Sequence, residues 1–457
     1  MAATQGGRPS LWRNGDFVRL WMGQTVSRMG SEVSLVAIPF TAVVVLGVNA
    51  FQAGLLGTFE FLPFLLIGLP AGAVVDRMRR RRILIAADVG RTLALGSIPV
   101  AAALGHLTLA QLYVAAMLSG VLTVFFDVAY QSYLPALVEG DELVDGNAKL
   151  ELSSSAALLS GPSIGGALVS ILGAPKAIAA DAASYVWSVV FLVLIRRREP
   201  PPERGRAPGE DRTPLRTEIA EGLRYVLGHR LLRPIAMCTG TWNLFGHMSV
   251  AVYVLFAVHD LGLGAAAVGV IFSVSAVGTL VGAALCSRIT DRLGVGRATL
   301  VAVMTSPSAF LIPLATSATA YPLLIGAGVI GTFSGTVYNV NQVSLRQGIT
   351  PRRLLGRLNA TMRFVVWGTI PIGSLIGGIL GTVIGLRATM AVSAAGCSLA
   401  VLWVLFSPVP AVRRIEDELH PERRRELEAE ARGGSTLGAG VPETPAGLAE
   451  EAVLPHA

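Results

Sequence analysis

Charge is scarce in this chain. Asp, Glu, Lys and Arg make up 15% of its 457 residues and hydrophobic residues 52%, with a mean hydropathy of +0.60. That balance excludes an ordinary soluble domain and indicates a membrane protein. Lysine is nearly missing: Lys149 and Lys176 are the two in the sequence, and neither follows a glycine, so no P-loop can be built and ATP is not used in that way. The three cysteines, Cys238, Cys286 and Cys397, stand alone in apolar runs. They lack metal-ligand spacing, so they are expected to be packing residues, with no metal or cofactor site. Two enzyme-like matches are decoys. Gly161-Pro-Ser163-Ile-Gly165 fits G-x-S-x-G and Gly326-Ala-Gly328-Val-Ile-Gly331 fits G-x-G-x-x-G, but both lie inside apolar runs rather than at strand-to-helix turns. With Gly373, Gly377 and Gly381 they read as small-residue packing faces, and no enzymatic activity is expected. The first fourteen residues lack a charged n-region, a short apolar core and a cleavage site, so the first apolar run is expected to stay as a span.

What is present is a series of long apolar runs. A hydrocarbon core of about 30 Å needs about 20 residues per helix. Twelve spans result: 17 to 46, 51 to 75, 83 to 104, 109 to 138, 148 to 172, 177 to 195, 232 to 258, 265 to 288, 298 to 318, 321 to 345, 355 to 383 and 388 to 407, with turns at GVNA, LGH and GAPK. Loops after even-numbered spans hold RMRRRR (77 to 82), RRREPPPERGR (196 to 206), Arg288, Arg292 and Arg297, and Arg346, Arg352, Arg353 and Arg357; those after odd-numbered spans hold Lys176 and Arg387. This positive-inside asymmetry places both termini in the cytoplasm and accounts for the net charge of +7 without nucleic acid.

The spans divide into halves. Residues 1–195 form a first six-helix half and 232–407 a second. Between them, 196–231 is a charged, Pro- and Gly-rich cytoplasmic linker. Within it Ile219, Leu223, Val226 and Leu227 mark an amphipathic helix along the cytoplasmic face. Residues 408–457 are expected to be a solvated, partly disordered tail, with a charged helical stretch at IEDELHPERRRELEAEA. Asp76-Arg77 recurs as Asp291-Arg292, Gln131 as Gln342, and Asn147-Ala148 as Asn359-Ala360. Both copies of each fall on the cytoplasmic side, so the halves are parallel repeats about an axis along the membrane normal.

Here the chain resembles the major facilitator superfamily over nearly its whole length, and within it the bacterial exporters that include macrolide-efflux and enterobactin-export proteins. The loop GAVVDRMRRRR resembles the signature Gly-x-x-x-Asp-Arg-x-Gly-Arg-Arg, matching at Gly72, Asp76, Arg77, Arg80 and Arg81, with Arg79 in place of the second glycine. A degenerate copy, SRITDRLGVGR, keeps Asp291, Arg292 and Gly294. The resemblance implies that Asp76 latches against the positive end of span eleven near Leu354, a charge-dipole contact of roughly 0.3 to 2 kcal/mol. In span five, SGPSIGGAL resembles the antiporter motif at Gly161, Pro162, Gly165 and Gly166. It is physically a bent helix stripped of bulk. Span four, around AAMLSGV, departs from many proton-coupled relatives in having no arginine.

A charge inside a span is costly unless it is paired or meets water, so such residues are candidate sites. Arg28 and Glu32 lie one turn apart, Glu32 at mid-span. They are either a self-neutralising i,i+4 pair or a site lining the substrate path. Asp127 in FFDVAYQ has no Lys or Arg within a turn in sequence and is the leading proton carrier, followed by Glu32 and Glu60. Asp88 and Arg91 are spaced for a structural i,i+3 pair, and Asp181 is expected near the watery outer surface. The second half offers Trp242, Asn243, His247, Asn339 and Asn341 as cavity residues beside Arg28 and Glu32.

The expectation is therefore an all-α membrane protein of twelve helices in the bacterial cytoplasmic membrane. It is a monomeric secondary transporter without cofactors, whose partners are the lipid bilayer, protons and a small-molecule substrate. It would export amphipathic drugs, siderophores or secondary metabolites by alternating access and proton antiport. The alternatives are an importer or facilitator of a small metabolite and a receptor or scaffold that moves nothing.

Overall fold

A computed structural model describes residues 11–75, 77–138, 141–197, 199, 215–419 and 424. Among these there is no strand, and twelve helices are long and apolar enough to cross a membrane. They are α1 (Gly15–Phe40), α2 (Ala50–Val75), α3 (Arg80–Ala103), α4 (Leu109–Leu137), α5 (Asp141–Leu172) and α6 (Ala174–Leu194), then α8 (Leu232–Leu255), α9 (Ala265–Leu293), α10 (Val295–Met304) with the four-residue α11 (Leu311–Leu314), α12 (Ala320–Ile349), α13 (Arg352–Val383) and α14 (Leu386–Leu405). Helix α7 (Leu215–Gly228) lies in the linker. The chain turns where expected: Gly47, Gly105 and Gly173 take φ of +61°, +72° and +88°, values that a side chain would strain. The ninth span is not one continuous helix. A 3-10 stretch, Ser306–Phe310, separates α10 from α11, and Pro307, which lacks a backbone donor, sits within it.

The chain forms two compact units, whose division differs from the linear repeat. The first is Met1–Glu210 with Val250–Ser273 and Ser374–Leu386; the second is Asp211–Ser249, Val274–Gly373 and Arg387–Ala457. In the first, α1 packs on α5 and α6, α3 on α4 and α6, and α2 on α4. Its fully buried side chains include Phe17, Leu84, Tyr133 and Leu192. The core of the second includes Leu231, Ile235, Leu345, Ile349, Leu358 and Met362. All three cysteines are buried and free, as packing residues should be.

At the arginine-rich end of the first unit, helix ends are closed by side chains. Glu199 accepts the backbone N–H groups of Arg80 (2.9 Å) and Arg81 (3.2 Å), capping α3. Arg81 in turn donates from Nε to the Leu192 carbonyl (2.9 Å) and from Nη2 to Val193 (2.6 Å), closing α6. Asp16 accepts the N–H groups of Arg196 (2.9 Å) and Arg197 (2.8 Å). The Glu199 and Arg81 contacts satisfy backbone groups that a helix end leaves unpaired, and Asp16 ties the chain that leaves α6 to the start of α1. Arg80 and Arg81 thus build the loop as well as charging it.

The second unit closes the start of α10 differently, with the first residues after α14, two of which are buried although a solvated tail is expected from Pro408 onward. Residues 408–419 turn back as two 3-10 turns, Val409–Ala411 and Ile415–Glu418. The Val412 and Arg413 carbonyls accept the N–H groups of Gly296 (2.9 Å) and Val295 (3.3 Å). Val409 and Val412 are buried, and Glu418 pairs with Arg230. The amphipathic helix α7 also packs on protein. Glu221 pairs with Arg357 at 2.5 Å, Val226 is fully buried, and Gly222 lies so near the Arg357 carbonyl that a Cβ would come within 2.8 Å of it. Most of the charged stretch after Leu419, and the Ile219 side chain, lie outside the described residues. Ending the chain after Ser407 is expected to lower the melting temperature of the detergent-purified protein, because the start of α10 loses its cap. Ending it after Leu419 should leave the melting temperature near that of the full chain, and a thermal-unfolding comparison of the two truncations checks this.

Candidate functional site

Helices α1 and α6 carry matched small and polar stripes, Ser27, Gly30, Ser31 and Ser34 on one and Asp181, Ser184 and Ser188 on the other. Their spacing puts each stripe on one helix face. The two faces meet. Ser34 Oγ donates to Asp181 Oδ2 at 2.5 Å, Ser31 Oγ lies 3.0 Å from the Tyr185 hydroxyl, and Gln24 Nε2 donates to Ser188 Oγ at 3.4 Å. Gly30 makes room, since a Cβ there would come within 2.7 Å of Asp181 Oδ1. The expectation of an Asp181 near surface water is therefore corrected: it is 1% exposed.

Beside this seam, Asp88 and Arg91 form the expected i,i+3 ion pair, and both are buried, at 0% and 5% exposure. The Arg91 guanidinium carbon stands 4.2 Å from the Phe126 ring centroid of α4 and 4.4 Å from that of Tyr185, within cation–π range. Its charge also acts on Asp127 and Asp181. Asp127 itself is half-buried. The polar stripes were the sequence signal for this cluster, and they were overlooked because each serine is unremarkable alone.

Arg28 and Glu32 are half-buried on α1. Arg28 acts electrostatically on both Glu32 and Glu151 of α5, so it serves two carboxylates rather than one. Glu32 also presses on the span-five motif: a Cβ on Gly161 would lie 3.0 Å from Glu32 Cγ, and one on Gly165 would lie 2.9 Å from Val33 Cα. Glu60 is exposed on α2. If Glu32 only neutralised Arg28, Arg28→Met with Glu32→Gln would restore what either single change loses. Because Glu151 shares Arg28, we expect no rescue, and a double-mutant cycle on transport rates at matched expression measures it.

The rest of the glycine motif meets the other helical segments of the first unit. A Cβ on Gly166 would come within 3.0 Å of Ala266 Cα and closer still to the Ala265 carbonyl, while Ser163 N–H donates to Ser273 Oγ at 3.0 Å. On α2, Gly54 faces Gly378 so closely that a Cβ would sit 2.6 Å from the Gly378 Cα, and the Phe51 N–H donates to Thr382 Oγ1 at 3.0 Å. Among the described residues, nothing lies within 4 Å of such a Cβ on Gly72, in the arginine-rich signature. Gly166→Ala is therefore expected to destabilise the protein by ~1–3 kcal/mol through overpacking, and Gly72→Ala to leave stability unchanged, as thermal unfolding of the two variants will show.

In the second unit, Trp242, Asn243 and His247 are half-buried on α8. The Trp242 ring sits edge-on to Tyr338 at 5.9 Å between centroids. Asn243 Nδ2 donates to the Thr239 carbonyl at 2.9 Å, and His247 Nδ1 lies 3.0 Å from the Asn243 carbonyl. Asn339 is half-buried on α12 and accepts from Gln342 Nε2 at 3.0 Å. Asn341 is 2% exposed. Its Nδ2 donates to the Val337 carbonyl at 2.9 Å and its Oδ1 accepts from Thr290 Oγ1 at 2.8 Å, which places it in the packing of α12 on α9 rather than on an open face. Arg77, Asp291 and Arg292 are exposed. Gly294 has φ +81°, and a Cβ there would lie 2.9 Å from Arg413 Cα, so both backbone and tail require glycine. Asp76 lies outside the described residues.

Twelve candidate spans among the described residues fit the fold of major-facilitator-type transporters, which solved structures share. Among solved structures, a bacterial homologue of the human lysosomal transporter Spinster, inward-facing and unoccupied, matches with a TM-score of 0.66 at 14% identity, over 91% of this chain and 100% of that one. The nucleoside transporter NupG gives a TM-score of 0.70 at 9% identity, over 85% and 98%. The chain belongs to the transmembrane secretion effector family of that superfamily, whose model matches residues 9–436. Among curated relatives, it is 28% identical to the multidrug efflux pump Tap of Mycolicibacterium fortuitum, over 88% of this chain and 98% of that protein. It is 25% identical to the enterobactin exporter EntS of Shigella dysenteriae serotype 1 (strain Sd197), over 74% and 79%.

Proposed function

We propose that this transporter exports amphipathic small molecules across the bacterial cytoplasmic membrane by alternating access, driven by proton antiport, with both termini in the cytoplasm. The observation that carries the reading is the similarity to a multidrug efflux pump over 98% of that protein's length. The interior charges support it, since ionisable residues within spans are costly and mark substrate or proton paths. In this reading Arg28 and Glu32 meet substrate in the first half, and Trp242, Asn243, His247 and Asn339 line the path in the second. Asp127, Glu32 and Glu60 are the candidate proton carriers. The glycine contacts of α2 and α5 also fit a moving assembly. Backbone faces that touch without interdigitating side chains can separate without unthreading anything.

Inverted membrane vesicles containing the protein, with ethidium as an amphipathic cationic probe, test this directly. Accumulation of ethidium against its gradient is expected when a pH gradient is imposed, acid inside, and is expected to collapse with a protonophore. Equilibration that ignores the pH gradient would make the protein a facilitator. No ethidium movement in vesicles, together with no change in host growth across a panel of inhibitors, would overturn export.

A further inference from the structure

The buried cluster of α3, α4 and α6 holds more carboxylates than cations. Arg91 is paired with Asp88 on its own helix, and its charge also reaches Asp127 and Asp181. Asp181 is served by hydroxyls instead. Its Oδ2 accepts from Ser34 Oγ at 2.5 Å, while Ser184 Oγ, which donates to the Asp181 backbone carbonyl at 2.7 Å, lies 3.2 Å from Oδ1. The titratable groups that face it are Glu32 from α1, Asp88 and Arg91 from α3, and Tyr185 from its own helix. Of the other elements packed on α6, the π-helical stretch Thr41–Val45 carries no titratable side chain, and α5 carries Asp141, Glu142, Asp145, Lys149 and Glu151, all between its start and Glu151. A carboxylate sealed in a membrane bundle with two neutral hydroxyls and a guanidinium already engaged elsewhere is poorly compensated as an anion. The pair itself is incompletely satisfied, since among the described residues Arg91 Nε is buried without a hydrogen-bond partner, while the Ser188 hydroxyl faces the Asp88 carboxylate. Arg91 therefore has a donor left over.

We propose that Asp181 is a proton-binding residue of this transporter, neutral in this conformation and ionised when Arg91 turns toward it. In the exchange, the Asp181 carboxylic acid gives its proton to a water molecule, and the resulting carboxylate accepts an N–H of Arg91. Reprotonation reverses the step and returns Arg91 to Asp88 alone. The inference rests on proton antiport for its purpose, but the charge state of Asp181 is measurable without any transport.

Asp181→Asn, the neutral mimic, is expected to match wild type in thermal unfolding at neutral pH, while Asp88→Asn, which strips Arg91 of its counter-ion, loses stability. In infrared difference spectra between acid and alkaline pH, a protonated-carboxyl C=O band should vanish in Asp181→Asn and persist in Asp127→Asn. In the ethidium assay, Asp181→Asn should lose accumulation driven by the pH gradient, down to the level of vesicles without the protein, yet still equilibrate ethidium down its gradient. An Asp181→Asn protein that unfolds as readily as Asp88→Asn, or does not fold, would show Asp181 to be a second counter-ion of Arg91 and overturn the proposal. So would an infrared band untouched by the substitution, or full accumulation by the variant. If wild type itself shows no response to the pH gradient, antiport fails, and the infrared and stability results still decide the state of Asp181.

Discussion

A guanidinium buried in an apolar bundle must be surrounded before the helices around it can pack. Arg91 meets this constraint with an ion pair to Asp88, two aromatic faces and the field of two further carboxylates. Those partners come from α3, α4 and α6, so one side chain ties three spans of the first unit together. α4 carries no arginine of its own, and the cation over its Phe126 is delivered by its neighbour α3. The matched serine faces of α1 and α6 extend the same polar seam, which lets Asp181 sit deep in the unit without a dedicated cation.

The parts of the fold legible in sequence were those governed by solvent. Twelve spans, their turns and the clustering of arginine in alternate loops follow from hydropathy and the cost of charge in lipid. What escaped depends on partners brought together from far along the chain. The tail after Pro408 reads as solvated because its composition is charged, yet Val409 and Val412 are buried, residues with no helical period to reveal them. Asp181, counted from the nearer end of its span, belongs close to water; Ser34, 147 residues away in sequence, is what holds it inside.

The candidate site divides along the same line. The glycines at 161, 165 and 166 were readable as places of close approach, and each faces another helical segment at near-backbone distance. Which segment each one meets was not readable. The i,i+4 spacing of Arg28 and Glu32 leaves open a self-neutralising pair and a site on the substrate path, and it gives no sign of Glu151 on α5, which also lies in the field of Arg28. Asn341 reads as a lining residue because it is polar in a span, and its hydrogen bond with Thr290 of α9 shows how a buried amide can instead join helices.

The glycine contacts also set the way such a chain can diverge. An exposed side chain such as Leu118 can be exchanged alone, because no neighbour has to move with it. Gly54 against Gly378, or Gly166 against Ala265, admits no such stepwise drift, because either partner gains bulk at the other's expense. Substitutions would thus accumulate singly on the exposed helix faces, while the joints between the helices change in concert or stay as they are.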